Sequence, residues 1–239
     1  MLVTIHQPGF LPWLGFFDKL WQSDLCVLLD HVQFEKNYFL NRNRVRSSIS
    51  AGNTWLTVPV FTKGRFGQSI DEVTINNAAN WKRKHLATLQ QQYRSAPHFQ
   101  PHFSSIQALY QEEWTLLVDL NIATILWLTD TLGITTPFIR SSQLRVEGNK
   151  SHMLLDICRK VDATEYLSGI SGQEYLDQQI FKAAGVGIRF QKFHHPIYKQ
   201  CHQPFVPALS TVDLILNHGS DSLGILTNSN SPRLSTLFS

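Results

Sequence analysis

The stretch that decides the fold is LVTIHQPGFLPWLGFFDKLWQSDLCVLLD, residues 2–30 of the 239-residue chain. Its two apolar runs, LVTI (2–5) and LCVLLD (25–30), have the continuous hydrophobicity of strands in a parallel sheet that is covered on both faces. Between them, LPWLGFFDKLWQS (11–23) predicts a helix with Pro12 in its first turn. A strand, a helix and a second strand in this order indicate a βαβ unit and therefore an α/β fold.

The rest of the chain predicts a Rossmann-like, mostly parallel sheet with two additions. Residues 31–77 read as an inserted antiparallel β-hairpin region, with SIDEVTI (69–75) as a candidate third strand. Residues 81–132 form a helical segment that ends at a glycine. We expect residues 1–220 to make a single α/β domain and residues 221–239 to be a polar C-terminal tail.

Strands and helices alternate again after the helical segment, as they do at the start of the chain. The expected elements, in order, are TTPFIRSS (strand), KSHMLLDICRKV (helix), EYLS (strand), GQEYLDQQIFKAAG (helix), VGIRFQKF (strand) and STVDLILNHG (helix). They extend the parallel sheet that the βαβ unit begins.

Composition and charge exclude several classes of protein. Hydrophobic residues make up 43% of the chain and charged residues only 16%, against a typical quarter, which indicates a globular and not a disordered protein. A formal net charge of +3 is too small to indicate nucleic acid as a partner. The longest apolar stretch, 114–134, is interrupted by acidic residues, so no membrane span is expected. The three cysteines, at 26, 158 and 201, are widely separated and have no spacing typical of a metal site or of paired disulfides. This pattern favours a protein of the reducing cytoplasm, and we predict no metal site.

The candidate catalytic residues lie where predicted parallel strands end. In an open α/β sheet, ligands bind beyond the carboxyl ends of the strands. His6 ends the first strand, Asp30 the second and Ser168 a later one. A histidine beside an acid on the neighbouring strand is typical of a general base held in one tautomer. The alternative is that His6 only hydrogen-bonds its own turn and Asp30 only caps the next one.

Arginines alternate with other residues along the strand at 41–46. With a period of two, Arg42, Arg44 and Arg46 share one face, about 6.6 Å apart along the strand. Guanidinium groups at this spacing suit phosphate or carboxylate groups. A solvated basic face of an exposed hairpin is the alternative.

Several blocks of the chain, in order, resemble the WbqC-like family. These blocks are IHQPGFLPWLGFFDKL, SDLCVLLDHVQFEKNYFLNRNRV, WLTVPV, WKRKH, SSQL, YLSGISGQEYLD and STVDLILNHG. Together they run from about residue 3 to residue 219. The candidate site positions within these blocks are His6, Gln7, Asp30, Gln33, Asn41, Arg42, Asn43, His85, Ser168 and Tyr175.

The resemblance implies a bacterial cytoplasmic protein that takes part in making O-antigen, other surface polysaccharides or specialised metabolites. It implies a transferase, and we expect acyl or aminoacyl transfer from an activated donor to an amino sugar or another amine. In this hypothesis His6 or Asp30 is the base, and Arg42 with Asn41 or Asn43 binds an anionic group of the donor. That donor is phosphopantetheine-linked, for example on an acyl carrier protein, or nucleotide-linked.

The remaining candidate residues are assigned to substrate binding. Ser168 and Tyr175 orient the acceptor in this hypothesis, and Gln7, Gln33 and His85 complete the expected set. Two alternatives stay open. The first is a non-catalytic module that binds a nucleotide-sugar or a carrier protein. The second is nucleotidyl transfer, suggested by a fainter likeness to nucleotidyltransferases with a proline-containing turn after the first strand.

Overall fold

A computed structural model of the chain describes residues 1–36, 38–49 and 52–228. Its centre is a sheet of five parallel strands in the order β5-β2-β1-β6-β7. The strands are β1 (Leu2–His6), β2 (Leu25–Leu28), β5 (Phe138–Arg140), β6 (Glu165–Ser168) and β7 (Gly187–Phe190). The predicted α/β class with a mostly parallel sheet is confirmed.

Both faces of this sheet are buried, which explains why its strands are continuously apolar. Val3 and Ile5 of β1 and Val27 of β2 pack in one hydrophobic cluster with helices α5 (Lys150–Lys160) and α7 (Gln178–Ala183). Cys26 and Leu28 of β2 point the opposite way and pack in a second cluster. That cluster includes apolar residues of α1 (Leu14–Trp21) and α4 (Leu117–Leu132). The alternation follows from the strand period of two.

The insertion contains the expected hairpin. Strands β3 (Arg42–Arg46) and β4 (Asn53–Thr57) pair antiparallel, with Arg44 opposite Trp55. Residues 50 and 51 of the predicted connecting turn lie outside the described residues. The candidate third strand at 69–75 is wrong. Residues Ile70–Glu72 form one turn of 3-10 helix, because the Ser69 and Glu72 side chains make a capping box that starts a helical turn there.

The helical segment forms as the periodicity predicts. Its helices are α2 (Trp81–Tyr93), α3 (Phe99–Gln111) and α4, and Gly133 ends α4 in the left-handed conformation with φ of 73°. They pack with α8 (Thr211–His218) in the larger core cluster. Within the described part of the chain, no helix is both long enough and apolar enough to cross a bilayer.

Two helix boundaries differ from the sequence prediction. The single helix expected over residues 172–185 is divided into α6 (Gly172–Tyr175) and α7. The helix breaks because Leu176 has an extended backbone and Asp177 caps the start of α7. The Asp177 carboxylate accepts a hydrogen bond from Gln179 N–H at 3.1 Å. Residues Ser222–Asn228, assigned to a polar tail, form helix α9, and its Leu226 is fully buried in the core. Residues 229–239 of that tail lie outside the described residues.

The sheet has one point where its connections part to opposite faces. The chain leaves β1 for α1 on one face, and it leaves the adjacent β6 for α7 on the other. Crevices at such points are where ligands bind in open α/β sheets. The fold therefore directs attention to the carboxyl ends of β1 and β6.

Candidate functional site

A cavity of about 740 Å³ opens at this point of the sheet. It is bounded by His6 at the end of β1, by residues 169–171 after β6 and by residues 191–194 after β7. The start of α1 forms another wall, and Asn43 and Arg44 of the hairpin border it from β3. Its volume is in the range of small-molecule sites.

Aromatic rings form much of the cavity wall. Those of the lining residues are Trp13, Phe16, Tyr38, Phe39 and Phe193. The charged side chains of the lining are Lys19, Arg44 and Lys192, and none of the described lining residues is an aspartate or a glutamate. The cavity therefore combines apolar, ring-bearing surface with positive charge, a composition that suits an anionic ligand with an apolar portion.

The turn after β1 is held in place by buried asparagine side chains. Asn43 Nδ2 donates to the carbonyl oxygens of Phe10 at 3.2 Å and Leu11 at 2.7 Å. Asn121 Nδ2, from α4, donates to the carbonyl oxygen of Pro8 at 2.8 Å. The prolines of this turn cannot donate backbone hydrogen bonds, so its carbonyl oxygens need outside donors. These asparagines fix the turn that sets the position of α1 against the cavity.

His6 reaches the cavity as a neutral imidazole. Its Nδ1 lies 2.9 Å from the carbonyl oxygen of Gln7, so Nδ1 carries the proton and Nε2 keeps its lone pair. The ring packs edge-on against Phe16, with 5.1 Å between ring centroids. Burial lowers the pKa of His6 to about 3, helped by the positive charge of Lys19 and opposed by the hydrogen bond to Gln7. His6 is therefore neutral at neutral pH with a lone pair on Nε2, although its low pKa makes it a weak base.

Lys19 is a cavity residue that the sequence analysis did not select. It lies on α1, one turn after Gly15 and Phe16, and only 5% of it is exposed. Burial lowers its pKa to about 8, while electrostatic interactions with Cys26 and Asp18 act in the opposite direction. A signal was present in the sequence, because position 19 falls on the same helical face as the apolar residues three and four positions earlier.

Asp30 is not a lining residue of the cavity, contrary to the expectation that it would pair with His6. It is fully buried, and its carboxylate accepts hydrogen bonds from Arg140 Nε at 2.5 Å, Ser142 Oγ at 2.8 Å and Ser142 N–H at 2.9 Å. Ser141 Oγ donates to the same carboxylate at 3.0 Å. Burial raises the pKa of Asp30, but these hydrogen bonds outweigh it and hold the pKa below its usual value. Such a carboxylate stabilises the end of β5 and is a poor base.

The three arginines of β3 have three different environments. Arg46 is 1% exposed, and its guanidinium donates to backbone carbonyl oxygens, including that of Pro204 at 3.0 Å. Arg42 stacks over the Trp55 ring at 4.3 Å. Only Arg44 lines the cavity, where its Nη2 donates to the Ala208 carbonyl oxygen at 3.2 Å. The expectation of a shared anion-binding row therefore reduces to Arg44, which replaces Arg42 as the cavity arginine.

The other predicted site residues are spread over the molecule. Asn43 lines the cavity, whereas Gln7, Gln33, Asn41, His85, Ser168 and Tyr175 are not among its lining residues. His85 is buried between the Tyr110 hydroxyl and the Thr57 carbonyl oxygen, each at 3.1 Å. Ser168 is fully buried at the end of β6, directly before the lining residues 169–171, and Tyr175 is 60% exposed. Roles for these residues in binding substrate stay predictions.

Thiol and metal chemistry find little support in the described residues. Burial raises the pKa of Cys26 to about 12 and that of Cys201 to about 11, so both are protonated at neutral pH. Residues 1–36, 38–49 and 52–228 bring no three His, Cys, Asp or Glu side chains together as a metal site. The basic side chains that line the cavity are His6, Lys19, Arg44, Lys192 and His194.

Comparison with known proteins agrees with the resemblance seen in the sequence. A model of the WbqC-like protein family matches residues 7–225. The chain is 33% identical over 222 residues to an uncharacterized protein of Mycobacterium tuberculosis, and this match covers 92% of the chain and 95% of that protein. No solved structure matches the chain. Since the family model spans nearly the whole α/β domain and its hairpin, the chain belongs to the WbqC-like protein family.

Proposed function

We propose that the protein is a transferase that moves an acyl or aminoacyl group from an activated donor to an amine. The proposed setting is the biosynthesis of bacterial O-antigen, another glycan or a specialised metabolite, and the acceptor is an amino sugar or another amine. The observation that carries this proposal is the cavity at the carboxyl edge of β1 and β6. Its lining combines aromatic rings, cations and a neutral histidine.

The donor side of the proposal rests on Arg44 and Lys192. Both line the cavity, and Arg44 Nε is buried without a hydrogen-bond partner among the described residues. A buried guanidinium N–H with no acceptor favours binding of an anionic oxygen. The phosphate of a phosphopantetheine arm, presented by an acyl carrier protein, or the phosphates of a nucleotide-linked donor would supply that oxygen. The aromatic wall would then contact the apolar part of the acyl group.

The chemical step assigns His6 the role of general base. The acceptor amine attacks the carbonyl carbon of the donor, a C–N bond forms and the bond from that carbon to the leaving sulfur or oxygen breaks. His6 Nε2 takes the proton from the attacking nitrogen and passes it to the leaving group, so the imidazole ends neutral. The hydrogen bond from His6 Nδ1 to the Gln7 carbonyl oxygen supports this assignment, because it fixes the tautomer in which Nε2 can accept.

The test is amide formation by the purified full-length protein. The donors are a panel of acyl-pantetheine thioesters and nucleotide-linked acyl groups, the acceptors are amino sugars and amino acids, and the product is detected by mass spectrometry. His6→Ala is expected to lower the rate by about 100-fold or more, the usual contribution of a general base. His152→Ala, a change of an exposed histidine on α5, is the matched control. Full activity of His6→Ala contradicts the role of His6, and a panel without any amide product contradicts acyl transfer.

A non-catalytic binding module is the second candidate, and one observation favours it. The pKa of His6 is lowered to about 3, which makes its imidazole a weak base. In that case the cavity would hold an anionic ligand, such as a nucleotide-sugar, for a partner enzyme. Saturable binding of a donor without turnover would support the module. Nucleotidyl transfer is less favoured, because carboxylates that hold Mg²⁺ in such enzymes are not among the described lining residues.

A further inference from the structure

The aromatic row of Tyr38, Phe39 and Trp55 lies exposed beside the cavity. Each of these side chains is between 38% and 54% exposed. Neighbouring rings contact one another, with 5.6 Å between the centroids of Tyr38 and Phe39 and 5.7 Å between those of Phe39 and Trp55. Folded proteins seldom expose contiguous apolar patches, and such patches mark sites that bind a ligand or a partner. The row is therefore a candidate binding surface.

The aromatic row leads from the cavity wall to the cavity arginine. Tyr38 and Phe39 line the cavity, and the hairpin pairing places Trp55 opposite Arg44. The guanidinium carbon of Arg44 lies 5.7 Å from the centroid of the Trp55 ring, and its Nε is buried without a hydrogen-bond partner among the described residues. Because Arg42 already stacks on the Trp55 ring at 4.3 Å, Tyr38 and Phe39 are the rings that a ligand in the cavity would contact. A cation and exposed rings thus border one cavity.

We propose that the aromatic row binds the base of a nucleotide whose phosphate lies at Arg44, so that the activated donor is nucleotide-linked. This inference rests on the proposed function for the statement that the ligand is the donor. A nucleotide joins a phosphate to a planar aromatic base through one sugar ring, and each end matches one of the neighbouring groups. Guanidinium groups suit phosphates, and exposed aromatic side chains stack on nucleic-acid bases of every kind.

The aromatic row distinguishes between the two kinds of donor that the proposed function leaves open. A phosphopantetheine arm carries a phosphate but no aromatic ring, so Arg44 could bind it while the rings of the row would stay exposed. A nucleotide-linked donor covers these rings and is stabilised by stacking on them. The chemistry that the row recognises is therefore a phosphate next to a base. An acyl adenylate or an acyl thioester of coenzyme A would each supply it.

The test is a titration of the full-length protein with AMP and with ribose 5-phosphate, which has the same sugar and phosphate but no base, followed by ligand-observed NMR. We expect the wild-type protein to bind AMP about tenfold or more tightly, the fold-change that one stacked base supplies. The double variant Tyr38→Leu, Phe39→Leu keeps apolar side chains but removes both rings that line the cavity, and it is expected to lose this preference. Phe66→Leu, a change of an exposed ring outside the cavity, is the matched control and is expected to keep it. Coenzyme A is titrated as well: tighter binding than AMP supports a coenzyme A thioester as donor, and weaker binding supports an adenylate.

Three results would overturn the inference: equal binding of AMP and ribose 5-phosphate by the wild-type protein, an AMP preference that survives in the double variant, or no AMP binding at millimolar concentration. The first and third need only the wild-type protein, so they apply even if the variant fails to fold. If AMP does not bind and the double variant slows transfer from a carrier-protein thioester, the row is a surface for the carrier protein and the inference is wrong. The titration does not measure turnover. An AMP preference without amide formation refutes acyl transfer alone, and efficient transfer from acyl-pantetheine that AMP does not inhibit refutes the nucleotide-linked donor alone.

Discussion

The Asp213 carboxyl is the common acceptor in a buried hydrogen-bond network that anchors the hairpin to the core. Tyr93 O–H donates to Asp213 Oδ1 at 2.8 Å, while Tyr198 O–H at 2.9 Å and Gln200 Nε2 at 2.8 Å donate to Oδ2. The oxygen of Tyr93 in turn accepts from the backbone N–H of Arg46 at 2.7 Å. The network therefore connects β3, whose Asn43 and Arg44 line the cavity, to α2 and α8.

Asp213→Ala is expected to destabilise the protein strongly. The change removes the acceptor of three buried donors. A buried donor left without a partner costs about 1–3 kcal/mol. Because the two tyrosine hydroxyls can turn toward other acceptors, we take the low end for each donor and expect a loss of about 3–4 kcal/mol in the free energy of unfolding.

Urea unfolding followed by circular dichroism measures this loss. Tyr198→Phe, which removes one donor and leaves the acceptor in place, is expected to cost about 1 kcal/mol. Asp221→Ala replaces an exposed aspartate near the end of α8 and is expected to change the stability by less than about 0.5 kcal/mol. A loss below about 1 kcal/mol for Asp213→Ala would refute the view that this carboxyl satisfies the network.

Two further predictions concern the groups that support the cavity edge. Asn43→Ala removes the donors to the Phe10 and Leu11 carbonyl oxygens and is expected to cost about 2 kcal/mol in thermal unfolding, whereas unchanged stability would show that water replaces the amide. Hydrogen bonds in the folded protein hold the pKa of Asp30 below its usual value of 3.8. The ionised carboxylate therefore stabilises the fold above pH 3.8, and this contribution is lost as the pH falls through the lower pKa of the folded state. Arg140→Leu removes one of the hydrogen bonds that lower this pKa. Acid unfolding of the variant is therefore expected to begin at a higher pH than in the wild type. An identical acid transition in the two proteins would contradict the role of Arg140 in lowering the pKa of Asp30.

Much of the fold could be predicted from the sequence, because the signals are local. The βαβ unit of residues 2–30, the helix α2 and the end of α4 at Gly133 all follow from hydrophobic period and capping chemistry. The break between α6 and α7 was not predicted, since a side-chain cap at Asp177 overrode the helical propensity around it. The candidate strand at 69–75 failed for the same reason, a local cap at Ser69.

The candidate site could be predicted only in part. The rule that ligands bind where strand connections part located the region from the sequence, and His6 lies in it. The rule could not show that Asp30 turns toward Arg140 and Ser142, whose positions along the chain are more than a hundred residues away. Nor could the strand period show which arginine of β3 faces the cavity.

The sequence by itself determined the α/β class with its mostly parallel sheet and the family, because these depend on patterns within a few turns or on blocks matched in order. The tertiary structure alone decided which polar groups meet. Asn43 and Asn121 support the turn after β1, and Lys19 is buried in the cavity wall. The physical reason is that a buried polar group takes whichever partner the packing brings within 3 Å, and that partner is usually distant in the chain.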